Sequence, residues 1–224
     1  MPATYIPRRL RNDPWWHVAG LCSGLVFALM LMVARLYPRY FDSIDRTIEA
    51  VFTPLQTFPH IELFLVITVL GSVTGIIVLA LGALFLLRRN SHAVIQLFFL
   101  LVFASVSMGI AKMFVERARP EALLWLDPMN SFSFPSGHAT LSTAFYGFIA
   151  VCLVRRTHSP ILRTFWVALC IAVILAVGLS RLILNFHYFT DVLAGIFLGL
   201  FWLSVIFILP RDASLSTGKH RNWN

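Results

Sequence analysis

Residues 92–120 read HAVIQLFFLLVFASVSMGIAKMFVERARP. From His92 to Ala111 there is no Asp, Glu, Lys or Arg, and Lys112, Glu116, Arg117 and Arg119 then follow within one short segment. An uncharged run of about 20 residues is the length that a helix needs to cross the hydrocarbon of a bilayer. The charges that end it mark the point where the chain leaves that medium. The rest of the chain repeats the pattern: candidate spans lie at about 17–37, 61–87, 92–112, 138–154, 163–181 and 190–209. With 58% hydrophobic and 12% charged residues in 224, and a mean hydropathy of +0.80, the chain is too apolar for an ordinary soluble domain. The sequence therefore predicts an all-α, polytopic membrane helix bundle of six transmembrane helices with short amphipathic outer helices. It is expected to form a single membrane-embedded domain over 1–224, with a motif core at 112–191 and flexible tails at about 1–12 and 211–224.

The net charge of +8 invites a nucleic-acid or anionic-lipid partner, but its distribution assigns most of it to topology. If the N-terminus is cytoplasmic, six spans place Arg8, Arg9, Arg11, Arg88, Arg89, Arg155, Arg156, Arg163, Arg211, Lys219 and Arg221 on the inner side. Both termini are then cytoplasmic, and Lys112, Arg119 and Arg181 face outward. No nucleic-acid partner is expected. The first run, long and without a small-residue cleavage site, reads as an uncleaved signal anchor. Cys22, Cys152 and Cys170 all fall inside spans, so neither a disulfide framework nor a cysteine metal site is expected. In the outer segment 38–60, Ile44, Ile48 and Val51 recur at helical spacing among Asp42, Asp45, Arg46 and Glu49. That is the pattern of an amphipathic surface helix, serving as a connection, a lid or a lipid entry. Residues 121–134 read as an outer loop. Gly195 and Gly199 make a small-x3-small pattern suited to close helix packing.

Three fragments carry chemistry: Lys112 to Pro120 (K-x6-R-P), Pro135 to His138 (P-S-G-H) and Ser180 to Asp191 (S-R-x5-H-x3-D). In the third, His187 and Asp191 are four apart at a predicted helix start. The carboxylate can take one ring N–H and leave the other nitrogen as a nucleophile; the plainer reading is a helix-capping acid beside an interfacial histidine. Arg181 suits paired hydrogen bonds to phosphate oxygens, or a snorkelling anchor. In the second, the Ser136 and Gly137 N–H groups and the Ser136 hydroxyl would surround an oxyanion at a helix N-terminus, with His138 placed to protonate a leaving group; the alternative is a plain N-cap. In the first, Lys112 and Arg119 would point the same way if the helix continues, carrying phosphate charge. Arg117 could be a third phosphate contact, the plainer reading being solvent exposure or pairing with Glu116 or Glu121.

Together these fragments resemble the three-part signature of the type 2 phosphatidic-acid phosphatase superfamily, whose members include integral-membrane lipid phosphatases and soluble vanadium haloperoxidases. The resemblance is tight over Lys112 to Asp191. It implies that His187 attacks phosphorus to give a phosphohistidine, that Asp191 orients it, and that His138 is the general acid for the leaving group. It also implies that Lys112, Arg119, Ser136, Gly137 and Arg181 bind phosphate, with no metal and no cofactor. One departure is visible: Leu184-Asn185-Phe186 stands where the family commonly has Leu-Gly-Val.

The expected activity is hydrolysis of a lipid phosphate or diphosphate at the outer face of a bacterial cytoplasmic membrane, with undecaprenyl diphosphate the first choice of substrate. Phosphatidylglycerophosphate, phosphatidic acid and lipid A phosphates are the alternatives. Phosphotransfer to another lipid is a second enzymatic reading, and an anion transporter is the non-enzymatic one. The sequence assigns no oligomeric state.

Overall fold

The computed structural model describes residues 14–120 and 131–209. The tails and most of the 121–134 loop lie outside the described residues. Among the described residues all regular structure is helical: α1 Pro14–Leu36, α2 Pro38–Phe52, α3 Phe58–Val69, α4 Val73–Leu87, α5 Ser91–Val115, α6 Gly137–Arg156, α7 Pro160–Ile183 and α8 Phe189–Ile208, with a 3-10 turn at Thr53–Leu55 after α2. Pro in the first turn of α2 and α7 sits where the helix has no use for the amide hydrogen it lacks.

Five helices, α1, α5, α6, α7 and α8, are long and apolar enough to cross a membrane. Exposed Leu25, Leu29, Phe85 and Ile161 are what a chain solvated by acyl tails presents. The sixth expected span, 61–87, is not one continuous helix. It is divided into α3 and α4 around Leu70–Ser72, and α4 is too short to count as a span alone. Ser72 makes the break: its hydroxyl donates to the Val69 carbonyl (2.8 Å) and accepts from the Gly75 N–H (2.9 Å), capping α4. A Cβ at Gly75 would lie 1.9 Å from the Val69 oxygen, so only glycine permits this turn. The Leu70 carbonyl freed by the break accepts from the Tyr146 hydroxyl (3.0 Å), which satisfies it where lipid could not.

The bundle centres on α6 and α8, about half of whose apolar windows are buried, against 17% for α1. Ile76, Leu97, Leu100, Phe148, Leu203, Ile206 and Phe207 pack between α4, α5, α6 and α8. Gly195 and Gly199 bring α8 so close to α6 that a Cβ on either would lie 2.6–2.7 Å from the Ser136 and Thr140 carbonyl oxygens. The small-x3-small pattern thus serves packing within the chain. The short turns at 88–90 and 157–159 lie at the opposite end from the three fragments.

Candidate functional site

Local structure delivers each fragment to one end of the bundle. α5 stops at Val115, where Glu116 turns left-handed (φ 55°) and its N–H bonds the Lys112 carbonyl (2.9 Å). Lys112 and Arg119 therefore do not share a continuing helix, as the sequence suggested. Residues 117–119 instead run beside 131–133. The Ser133 N–H donates to the Arg117 carbonyl (2.8 Å), its hydroxyl to the Ala118 carbonyl (3.0 Å), and Arg119 to the Ser131 carbonyl and hydroxyl (2.8 Å each). Lys112 donates to the carbonyls of Phe132 and Ser133. These bonds gather both cations over the approach to the P-S-G-H turn.

That turn starts α6. Ser136 occupies the N-cap position, but its side chain makes no capping bond, so the plain-cap reading fails. Its N–H is not available to an oxyanion either, because it donates to the Asp191 carbonyl (2.9 Å). What Ser136 offers is a fully buried hydroxyl with no hydrogen-bond partner. Gly137 begins the helix, and its N–H, with that of His138, has no intrahelical carbonyl to meet. A Cβ at Gly137 would lie 2.9 Å from the Met108 sulfur, so glycine admits α5 at this end.

The third fragment ends α7 in a Schellman turn. The Asn185 N–H bonds the Leu182 carbonyl (3.1 Å) and the Phe186 N–H bonds the Arg181 carbonyl (3.0 Å), with Asn185 left-handed at φ 53°. Asn is the non-glycine residue that best tolerates this region, which accounts for its standing in the glycine's place. The turn leaves the Arg181 guanidinium 4.5 Å over the Phe186 ring and bonded to Thr68 (2.8 Å). His187 precedes α8 rather than lying within it, and Asp191 is in the first turn. The Asp191 carboxylate accepts from the Tyr188 N–H (3.0 Å), and its Oδ2 lies 3.5 Å from His187 Nδ1. Asp191 thus acts as a capping acid and as the neighbour of the imidazole, uniting the two readings that the sequence left open.

The fragments converge. Arg119 bonds the Phe186 carbonyl (3.2 Å) and Ser136 bonds Asp191, so each is tied to another by hydrogen bonds. The charges of Lys112, Arg119 and Arg181 act on both His138 and His187. His187 is almost completely buried; burial first, and then Arg181, Arg119 and Lys112, hold its pKa well below the ordinary histidine value, against a bond that its ring donates to the Ser133 backbone. The ring is neutral at pH 7. A neutral buried imidazole, a second imidazole and three cations can accept a phosphate, attack it and protonate what departs.

Two residues escaped the sequence reading. Arg117 is neither solvent-exposed nor paired with Glu116: its side chain is 11% exposed and bridges Asp191 Oδ1 (2.7 Å) and Asp45 Oδ2 (2.6 Å) while stacking on Tyr188 (4.2 Å). Burial alone would lower the pKa of its guanidinium; the two carboxylates more than offset that and raise it. Asp45, 2% exposed, sits on α2 and accepts from the Thr190 N–H (2.9 Å) and hydroxyl (2.7 Å). On α2 the inward residues are Phe41 and Asp45, while Ile44 and Val51 are exposed, as expected for an amphipathic helix. The one available signal was that Asp45 lies a turn beyond Phe41. Among the described residues, no group of three or more His, Cys, Asp or Glu side chains gathers as a metal site.

The model of the PAP2 superfamily matches residues 93–214. Phosphatidylglycerophosphatase B of Bacillus subtilis (strain 168) is 32% identical over 187 residues, 79% of this chain and 88% of that one. Lipid A 1-phosphatase of Rhizobium johnstonii is 29% identical over 119 residues, 49% of this chain and 44% of its own. The crystal structure of a transmembrane PAP2 type phosphatidylglycerolphosphate phosphatase from Bacillus subtilis shares the fold, with a TM-score of 0.72 at 24% identity over 91% of this chain and 99% of that one.

Proposed function

Because the chain belongs to the PAP2 superfamily and is thus a membrane hydrolase of lipid phosphates, we propose that it cleaves the phosphate monoester of phosphatidylglycerophosphate through a phosphohistidine on His187. The substrate follows the likeness to phosphatidylglycerophosphatase B, which spans most of both chains. The relatives named above favour this alternative over undecaprenyl diphosphate. The observation that carries the chemistry is the neutral, buried His187, facing Asp191 and surrounded by the charges of Lys112, Arg119 and Arg181.

Asp191 sits on the Nδ1 side, which leaves Nε2 to attack phosphorus. The N–P bond forms as the P–O bond to the lipid glycerol breaks, and His138 gives its proton to the departing alkoxide. Lys112, Arg119, Arg181, the Ser136 hydroxyl and the Gly137 N–H hold the three non-bridging oxygens as charge develops. Lys112 and Arg119 exchange their bonds to the 131–133 backbone for bonds to phosphate. Water then attacks the phosphohistidine with His138 as base, releasing inorganic phosphate and restoring His187. No metal or cofactor enters. The distribution of arginines supports a site at the outer face of a bacterial inner membrane with both termini inside, to which the lipid comes laterally.

The test is phosphate release by purified protein in detergent with a chelator present, across phosphatidylglycerophosphate, phosphatidic acid, lipid A and undecaprenyl diphosphate. Phosphatidylglycerophosphate is expected to give the highest kcat/KM, and His187→Ala no turnover. Activity surviving in His187→Ala rejects the nucleophile; a preference for the diphosphate rejects the substrate. Labelled phosphate appearing on an acceptor lipid instead of in solution would make the enzyme a transferase.

A further inference from the structure

Asp45 lies 72 residues from Arg117 and 145 from Thr190, yet four polar contacts join them. Asp45 Oδ1 takes the Thr190 N–H and Oδ2 takes the Thr190 hydroxyl, which pins α2 to the first turn of α8. Asp45 Oδ2 also accepts from one Arg117 nitrogen, while the other donates to Asp191 Oδ1 and to the Thr190 hydroxyl. Asp191 Oδ1 is held by Arg117 and Oδ2 by the Tyr188 N–H, the Ser133 side chain also bonds the carboxylate, and so fixed it presents Oδ2 3.5 Å from His187 Nδ1. α2 also lines one wall of the small cleft at His187, through Asp45, Ile48, Glu49 and Phe52.

Charge makes the arrangement more than a strap. Two buried carboxylates share one guanidinium, so the trio of Asp45, Arg117 and Asp191 carries a net negative charge beside the imidazole. When Nε2 bonds to phosphorus the ring becomes cationic, and that charge is stabilised in the transition state more than in the resting neutral ring. Without the Asp45 charge, Arg117 and Asp191 would neutralise each other, and the surplus would fall to Asp42, which is half-exposed and 3.9 Å from Arg117, where solvent screens it.

The geometry points to Asp45 and Arg117 as positioning residues for the hydrolysis: α2, docked through Asp45, fixes Asp191 against His187 and supplies the surplus negative charge that the phosphohistidine step draws on. This rests on the His187 reading above.

The test measures kcat and KM for phosphatidylglycerophosphate, with thermal unfolding in the same detergent, for Asp45→Asn, Thr190→Val and His187→Ala. Asp45→Asn is expected to lower kcat at least about tenfold, as loss of an outer partner of a reacting group does, with KM within about threefold. Should that variant fail to fold, Thr190→Val removes only the hydroxyl shared by Asp45 and Arg117 and is expected to lower kcat about two- to tenfold, the rate equivalent of one net hydrogen bond. Wild-type kcat per folded molecule in whichever variant folds, or a change in unfolding temperature alone, overturns the inference. His187→Ala separates the two failures: if it is inactive while Asp45→Asn is unchanged, only this inference falls; if it is active, the parent reading falls.

Discussion

Substituting Gly195 by Ala tests whether packing between α6 and α8 sets the catalytic geometry. A Cβ at Gly195 would lie 2.6 Å from the Ser136 carbonyl oxygen, 2.9 Å from Ala139 Cβ and 3.1 Å from Thr140 Oγ1. Two of these are backbone or Cβ atoms that cannot rotate away, so the helices must part by about 0.8 Å at this level to reach ordinary contact. The parting occurs one turn from Asp191 and at Ser136, whose N–H and the Asp191 carbonyl form the main-chain link between the two fragments. Overpacking of this kind costs about 1–3 kcal/mol, and a misplacement approaching 1 Å costs about a hundredfold in rate. Gly82→Ala is the control, since nothing lies within 4 Å of the Cβ it would add. Purified Gly195→Ala is expected to unfold at lower temperature and to lose ten- to a hundredfold in kcat per folded molecule, with Gly82→Ala keeping wild-type kcat and an unfolding temperature at or slightly above that of the wild type, since alanine favours the interior of a helix. A Gly195→Ala enzyme with wild-type kcat would refute the claim that the α6–α8 spacing holds His138 and His187 in register.

Four further outcomes follow from the site. Because burial and three cations depress the His187 pKa, the nucleophile stays neutral through mildly acidic pH, so the acid limb of kcat should lie below the ordinary histidine value of 6.5. Arg119→Gln, which removes one of those cations, should move it upward. The same depression makes His187's contribution to folding complete above about pH 6.5 and progressively lost as pH falls from there toward its folded value, readable as unfolding temperature against pH. Asn185→Ala, at φ 53°, should cost about 1–2 kcal/mol of stability, while Asn185→Gly keeps both stability and kcat. Orthovanadate, which copies the trigonal-bipyramidal phosphorus, should inhibit competitively; inhibition indifferent to substrate concentration would contradict a shared pocket.

The spans were legible because about 20 uncharged residues have little alternative to crossing a bilayer, and α1, α5, α6, α7 and α8 match their expected ranges within a few residues. The break at Leu70–Ser72 was not, since it lies in an apolar run where Ser72 and Gly75 look like ordinary small residues. The end of α5 at Val115 was hidden similarly, because a left-handed Glu116 leaves no mark in the composition. His138, His187, Arg181, Lys112 and Arg119 were legible from spacing, and the structure brings them to one place. Arg117 and Asp45 were not: each has an unremarkable charged neighbour in sequence, and the partner that buries it is supplied by a distant helix.

The Arg181 carbonyl accepts from both Phe186 (3.0 Å) and His187 (3.3 Å). The number of letters separating Arg181 from the His187 ring is therefore dictated by main-chain bonding, while the identity of most of those letters is not. Inserting or deleting a single residue between Arg181 and His187 would rotate the imidazole off its target even if every functional group survived, whereas Leu182 or Ile183 can be exchanged for other apolar residues.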